Sequence, residues 1–164
     1  MAIRNIRVEG DPILSKVSRP VEVVDDKVRE LVNDMFDTMH KADGLGLAAV
    51  QVGILKRIVV IDLYDGESKF VLINPVITKT FGEKIPFDEG CLSFPNQYAK
   101  VERYNHIICE ALDENGEKFK LEAKEVLAQC IQHECDHLEG HVFKEKMLPG
   151  TFEVIMPEDI EKKK

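Results

Sequence analysis

The run Gln132-His133-Glu134-Cys135-Asp136-His137-Leu138-Glu139-Gly140 decides how the rest of the chain is read. It predicts the end of a helix over residues 123–138, with Gly140 as its C-terminal breaker. Upstream of it the period changes. Residues 106–112 and 117–121 read as strands flanking Asn115-Gly116, a two-residue hairpin turn, and residues 117–122 approximate polar/apolar alternation. Residues 57–63 and 69–73 are rich in β-branched and aromatic side chains and are separated by the turn-prone Asp65-Gly66. Pro75 offers no N–H to a ladder, which demotes the stretch after it to an edge or a bend. Further upstream, Val28, Leu31, Val32, Met35, Phe36 and Met39 recur at three- and four-residue steps, one apolar stripe on a helix over residues 26–41. Asp25 or Asp26 caps its first turn and Asp43-Gly44 stops it. One early helix, several mostly antiparallel strands and one late helix fit an α+β fold better than a βαβ alternation. The expected architecture is mostly antiparallel sheets packed around the central helix that carries His133 and His137, with an amphipathic helix near the N-terminus.

The 164 residues suit one domain, 1–164, with an irregular tail from about residue 148, where Pro149, Gly150 and Pro157 oppose a long helix. Lys and Arg number 22 against 30 Asp and Glu, a net charge of -8, which argues against direct nucleic-acid readout because such surfaces cluster cations. Ile58-Val59-Val60-Ile61 is typical of the longest apolar runs, far short of a membrane span. Arg4 and Arg7 interrupt the apolar residues at the start, unlike a secretory signal. A cytoplasmic address is expected, and the four Cys then read as thiols or metal ligands rather than disulfides.

His133 and His137 stand four residues apart on one helical face, one turn above each other, so both imidazoles reach one cation. Glu134 is rotated about 100° from His133, close enough to touch water on that cation without binding the cation itself. This is the HExxH arrangement of metal hydrolases, in which a cation acidifies water and a carboxylate takes its proton. A catalytic site of this kind wants a third protein ligand and one open position. His141 follows Gly140 without the longer spacing seen in zinc endopeptidases. Cys130 lies three residues before His133 on the same face, and Cys91 lies apart, in Glu89-Gly90-Cys91-Leu92-Ser93. Local spacing leaves Cys130 open, whereas a ligand from a separate strand closes the third corner of a tetrahedron more readily.

Gly44-Leu45-Gly46-Leu47-Ala48-Ala49-Val50-Gln51 matches a dinucleotide fingerprint as a string, but it follows a helix and leads toward a strand, the reverse of that motif's setting. It reads instead as a tight loop of small residues that lets backbone approach something closely. The amide of Gln51 can donate to an oxyanion.

Taken together, Gly44-x-Gly46-x-Ala48-Ala49-x-Gln51, then Glu89-Gly90-Cys91-Leu92-Ser93, then Gln132-His133-Glu134-x-Asp136-His137-Leu138-x-Gly140 resemble the three signature motifs of the peptide deformylase family, in the family's order. Asp11-Pro12 and Asn74-Pro75 resemble further landmarks, and the similarity runs from about residue 3 to about residue 147. The resemblance implies Cys91, His133 and His137 as metal ligands, for Fe(II) natively, with Ni, Co or Zn also accepted. It implies Glu134 as general acid/base, and Gln51 and the backbone N–H of Leu92 as oxyanion donors. Gly44, Leu45 and Gly46 would line the substrate groove, and Cys130 the pocket for the substrate methionine. Asn96 and Tyr98 depart from the family pattern at the substrate rim. The implied reaction removes the formyl group from N-formylmethionyl nascent peptides and releases formate, with a transient ribosome association as a further partner and no membrane. A metal-dependent endopeptidase shares the helix, but Cys91 upstream and the lack of a downstream ligand count against it.

The remaining candidates read blandly. His40 is solvated or interacts with its helix dipole, His106 and His141 lack partners at ligand spacing, and Cys109 belongs to a core strand. Arg103 pairing with Glu89 would fix the Cys91 loop.

Overall fold

Ile58, Val59, Val60 and Ile61 are all wholly buried, because their strand carries an apolar layer on each face. In the computed structural model, whose described residues are 2–156, the chain runs α1 (Asp26–Lys41), β1 (Gly46–Ala48), β2 (Ile58–Asp62), β3 (Lys69–Cys91), β4 (Phe94–Leu112), β5 (Lys118–Lys124), α2 (Glu125–Leu138) and β6 (Glu153–Val154), with 3-10 turns at Pro12–Ser15, Ala49–Val52 and Phe143–Glu145. The strands form one antiparallel sheet in the order β1-β2-β3-β4-β5, with β6 paired to β4. Alternate side chains of β2 point to opposite faces. Ile58 and Val60 join the core formed with Val28, Leu31, Met35 and Met39 of α1. Val59 and Ile61 join the core formed with Ala128, Ile131 and Leu138 of α2. The unbroken apolar run is therefore a strand sandwiched between two helices.

Both helices follow from their sequences with local adjustments. Asp25 caps α1 by accepting the Val28 N–H at 3.0 Å. α2 begins at Glu125 rather than at residue 123, because Ala123 and Lys124 still pair with Ile107 and His106 on β4. Gln132 pins α2 to β4: its amide oxygen accepts the Tyr104 N–H at 3.0 Å and its NH2 donates to the Tyr104 carbonyl at 2.7 Å. At the end of α2, Gly140 takes φ +78, and an added Cβ would lie 2.6 Å from the Ser15 carbonyl oxygen, so only glycine closes the helix this tightly against the N-terminal segment.

Two sequence expectations change, and one holds in an unexpected form. Past Pro75 the strand is an edge, as expected, because β2 reaches only as far as Ile73 and residues 76–91 pair with β4 alone. Asn74 adopts φ 52 and the register jumps between Ile73 and Val76, so Pro75 occupies a bulge where no ladder N–H is required, and β3 continues to Cys91. The β4–β5 connection is not a two-residue turn: Leu112 pairs with Lys118, and the Asp113 carboxylate holds the intervening loop by accepting the Asn115 and Glu117 N–H groups. The segment after residue 147 lies along β4, where Leu148 N–H donates to the Lys100 carbonyl and Glu153–Val154 form β6. Pro157 and the terminal lysines lie outside the described residues. No helix among the described residues is long and apolar enough to cross a membrane.

Candidate metal centre

Two structural facts bring the site together. β3 and β4 are joined by a tight turn across Leu92 and Ser93, with Cys91 paired to Phe94, which presents the Cys91 thiol at a hairpin tip. α2 presents His133 and His137 one turn apart, their ring centroids 5.0 Å from each other. One donor atom from each of Cys91, His133 and His137 lies within 4.8 Å of the others, a set able to hold a metal ion. Cys91 Sγ lies 3.3 Å from His137 Nε2. Cys130 is not in this set: it sits half-buried against the α2 core, where burial, with Glu134 nearby, pushes its thiol up to about 12. The structure thus brings together the three residues that the resemblance names and leaves the fourth candidate apart.

The electrostatics around His133 suit a cation. Burial opposes charge on its ring, but Glu134, Cys91 and Glu89 together outweigh that and raise its pKa well above the ordinary value. His137, buried as deeply, is lowered well below the ordinary value by burial and by His133. A thiol, two imidazoles and a field favouring one positive charge among them fit a divalent cation such as zinc or iron. His137 Nδ1 and Glu134 Oε1 are buried polar atoms with no protein partner.

A charged network holds His133 from behind. His133 Nδ1 lies 2.9 Å from Glu89 Oε1, and Arg103 donates to both Glu89 oxygens, at 2.7 and 2.9 Å. Arg103 also bonds Asp136, which Lys146 reaches at 3.0 Å. Burial alone would raise the Glu89 pKa, yet the hydrogen bonds from Arg103 and His133 bring it down to about 2, so it is an anion throughout the neutral range. Fixing the far ring nitrogen of a ligating histidine in this way sets its tautomer and orientation.

Glu134 is 4% exposed, and burial pushes its carboxyl up to about 7. Gly46 backs directly onto it: a Cβ there would fall 2.7 Å from Glu134 Oε2. Gly44 is equally confined, its missing Cβ 2.6 Å from Leu92 Cδ1. The small residues therefore let the β1 backbone lie against the Glu134 carboxylate and the Leu92 turn, while Leu45 remains 41% exposed. Gln51, buried in the Ala49–Val52 turn, accepts the Ala48 N–H at 2.9 Å through Oε1. Its Nε2 donates to Ser93 Oγ at 3.1 Å and approaches Cys91 Sγ at 3.5 Å.

Four participants escaped sequence reasoning. Ser93 anchors Gln51, although its position two residues beyond Cys91 hints at a shared side of the turn. Asp136, one helical turn from His133, extends the Arg103 network. Phe143 lies tilted against His133, with ring centroids 6.1 Å apart. Finally, an N-terminal strap joins the two loops, Arg7 N–H donating to the Gln51 carbonyl at 2.6 Å and Glu9 N–H to the Ser93 carbonyl at 2.8 Å. Nothing periodic announces the last two. Two surface hollows, about 380 Å³ beside Tyr104 and Cys135 and about 440 Å³ beside Phe36 and Lys69, contain none of the three cluster residues.

Known proteins resemble this chain over nearly its whole length. The polypeptide deformylase family model matches residues 3–152. A peptide deformylase of Agathobacter rectalis is 51% identical over 147 residues, covering 90% of this chain and 91% of the relative. Peptide deformylase 1 of Clostridium acetobutylicum is 51% identical, covering 90% and 96%. The crystal structure of peptide deformylase from Ehrlichia chaffeensis in complex with actinonin superposes with a TM-score of 0.87 at 41% identity over 91% of each chain. That of Thermotoga maritima gives 0.87 at 37% identity, over 91% of this chain and all of the other. With the match spanning the hairpin tip, the small-residue strand and the histidine helix alike, this chain belongs to the polypeptide deformylase family.

Proposed function

We propose that this chain is a metal-dependent peptide deformylase, removing the formyl group from N-formylmethionyl peptides and releasing formate, with residues 1–164 acting as a single catalytic domain. The observation that carries this reading is the buried Glu134 carboxylate, with one oxygen free of protein partners, set beside the Cys91, His133 and His137 cluster. In this reading α2 is the central element around which the sheet is arranged, and the amphipathic α1 backs the small-residue strand. Cys91, His133 and His137 hold one divalent cation, Fe(II) natively, with Ni, Co or Zn as alternatives. Bound there, such a cation would supply Lewis acidity toward water and the formyl carbonyl.

The chain's own groups do the rest. Glu134 takes a proton from the attacking water and returns it to the departing amine as the formyl carbon–nitrogen bond breaks; the water oxygen leaves in formate. Its pKa of about 7 suits a group that must both accept and donate near neutrality. Gln51 Nε2 and the Leu92 N–H donate to the oxyanion, each worth roughly 3 kcal/mol in sites of this type. Ser93 holds Gln51 in place for that task. β1 is the terminal strand of the sheet, so an extended peptide can lie along Gly44, Leu45 and Gly46 as an added strand, with Cys130 lining the methionine pocket. Nascent chains in the cytoplasm, met during a transient ribosome association, are the substrate source in this reading.

The test is formate release from a formyl-Met tripeptide by anaerobically purified enzyme beside Glu134→Ala. The variant should retain its metal and lose about 10²- to 10⁴-fold in kcat. A metal-loaded wild type that is inert sinks the proposal, and internal cleavage of an unformylated peptide transfers the site to the endopeptidases.

A further inference from the structure

Between β2 and β3 the backbone makes an uncommon choice. Tyr64 adopts φ +57, a left-handed conformation that a bulky side chain enters only at a cost of about 1–2 kcal/mol. Asp62, the last residue of β2, enforces it by accepting the Tyr64 N–H through Oδ1 at 2.9 Å. The outcome turns the Tyr64 side chain back over the loop after α1, where its hydroxyl donates to the Gly44 carbonyl at 2.6 Å. The next carbonyl in that loop, Leu45, accepts the Asp62 backbone N–H at 2.9 Å. Asp62 Oδ2 in turn lies 2.9 Å from His40 Nε2, and the His40 ring sits between Phe36 and Tyr64, with centroids at 5.9 and 5.6 Å. Asp62 and Tyr64 thus hold both loop carbonyls from outside the site, while the same backbone, with no Cβ to spare, meets Leu92 and Glu134 within it.

We propose that Tyr64, set by Asp62 and His40, is a positioning residue that fixes the Gly44–Gly46 loop and through it governs how tightly substrate peptide is held. The inference rests on the deformylase reading above, because it takes that loop as the groove wall. Tyr64 is 52% exposed and belongs to none of the three core clusters, so beyond its ring contact with His40 the strained backbone is accounted for by the hydroxyl's bond to Gly44. Its hydroxyl touches no member of the metal cluster, so its loss should act on binding rather than on the reacting atoms.

The test is Tyr64→Phe in the metal-loaded enzyme, a change that removes one oxygen and no packing. With formyl-Met tripeptide, KM should rise about three- to tenfold while kcat stays within about twofold. Amide hydrogen exchange in a peptic fragment spanning residues 42–48 should quicken, with the rest of the chain unchanged. Unaltered KM and unaltered exchange in that fragment overturn the clamp. Exchange is read without turnover, so a wild type inert toward formyl-Met peptides defeats the deformylase reading, while quickened exchange still supports the clamp on the loop.

Discussion

A single methyl group added at Gly46 would sit 2.7 Å from a Glu134 carboxylate oxygen, closer than any real Cβ contact, and the carboxylate would have to move. Gly46→Ala is therefore expected to fold with its metal bound and to lose up to about 10²-fold in kcat, the scale set by displacements near 1 Å at a reacting centre; steady-state kinetics beside metal analysis check it. The two candidate sulfurs separate as cleanly. Cys91→Ser should lose metal on dialysis, whereas Cys130→Ser should keep it, and the opposite result would reassign the third ligand. Outside the cluster, Arg103 is the cation on which the buried carboxylate behind His133 depends. Arg103→Ala leaves the buried Glu89 without its guanidinium, while Asp136 keeps Lys146, and the loss at Glu89 costs about 3–5 kcal/mol, read as a fall in Tm. The His133 ring then loses its brace, and metal affinity should drop about 10- to 100-fold.

At the scale of elements, the N-terminal segment is tied to α1 by charge. Asp34 accepts the Ala2 N–H at 3.0 Å and pairs with Arg4 at 2.9 Å. Burial alone would raise its pKa, but those two partners outweigh it and leave the group below its ordinary 3.8. The folded form therefore binds its proton less readily than the unfolded chain. Its contribution stands in full above pH 3.8 and drains away as pH falls through the lower folded value. Asp34→Asn should cost about 1 kcal/mol, or about 2–4 °C in Tm, near neutrality, with the gap narrowing below pH 3.8 in a thermal melt series. The helices were legible because their apolar stripes are local and periodic, and the His133–His137 pair because its four-residue spacing is; Cys91, far away in the chain, was reached through the resemblance, and the fold brings it within 4.8 Å of that pair. The long β3–β4 ribbon was legible only in part: Pro75 announced an edge or a bend, but that the strand runs on to Cys91 depends on Asn74 taking a left-handed turn and opening a bulge. The Gln51–Ser93 bond and the strap from Arg7 and Glu9 were hidden for a related reason: they join segments dozens of residues apart and leave no local trace. Arg103 with Glu89 sat between these cases, a pairing that charge suggested and only the fold could extend to Asp136 and His133.

For the whole molecule, the cluster links elements far apart in the chain, with Cys91 and His137 separated by 46 residues. A ligand that binds only the folded form stabilises it by mass action, about 4 kcal/mol at a thousandfold excess over Kd. Stripping the metal with a chelator should therefore lower Tm by several degrees in wild type and leave Cys91→Ser almost unmoved, a comparison that thermal shift assays read directly. The hairpin tip carries a temporal consequence too. During synthesis the sulfur emerges well before the imidazoles, and neither is in place until the two longest strands have zipped together and docked on the last helix. A donor set divided in this way is complete only where ribbon and helix have met, so a chain in which they stand apart has no whole site to offer an ion.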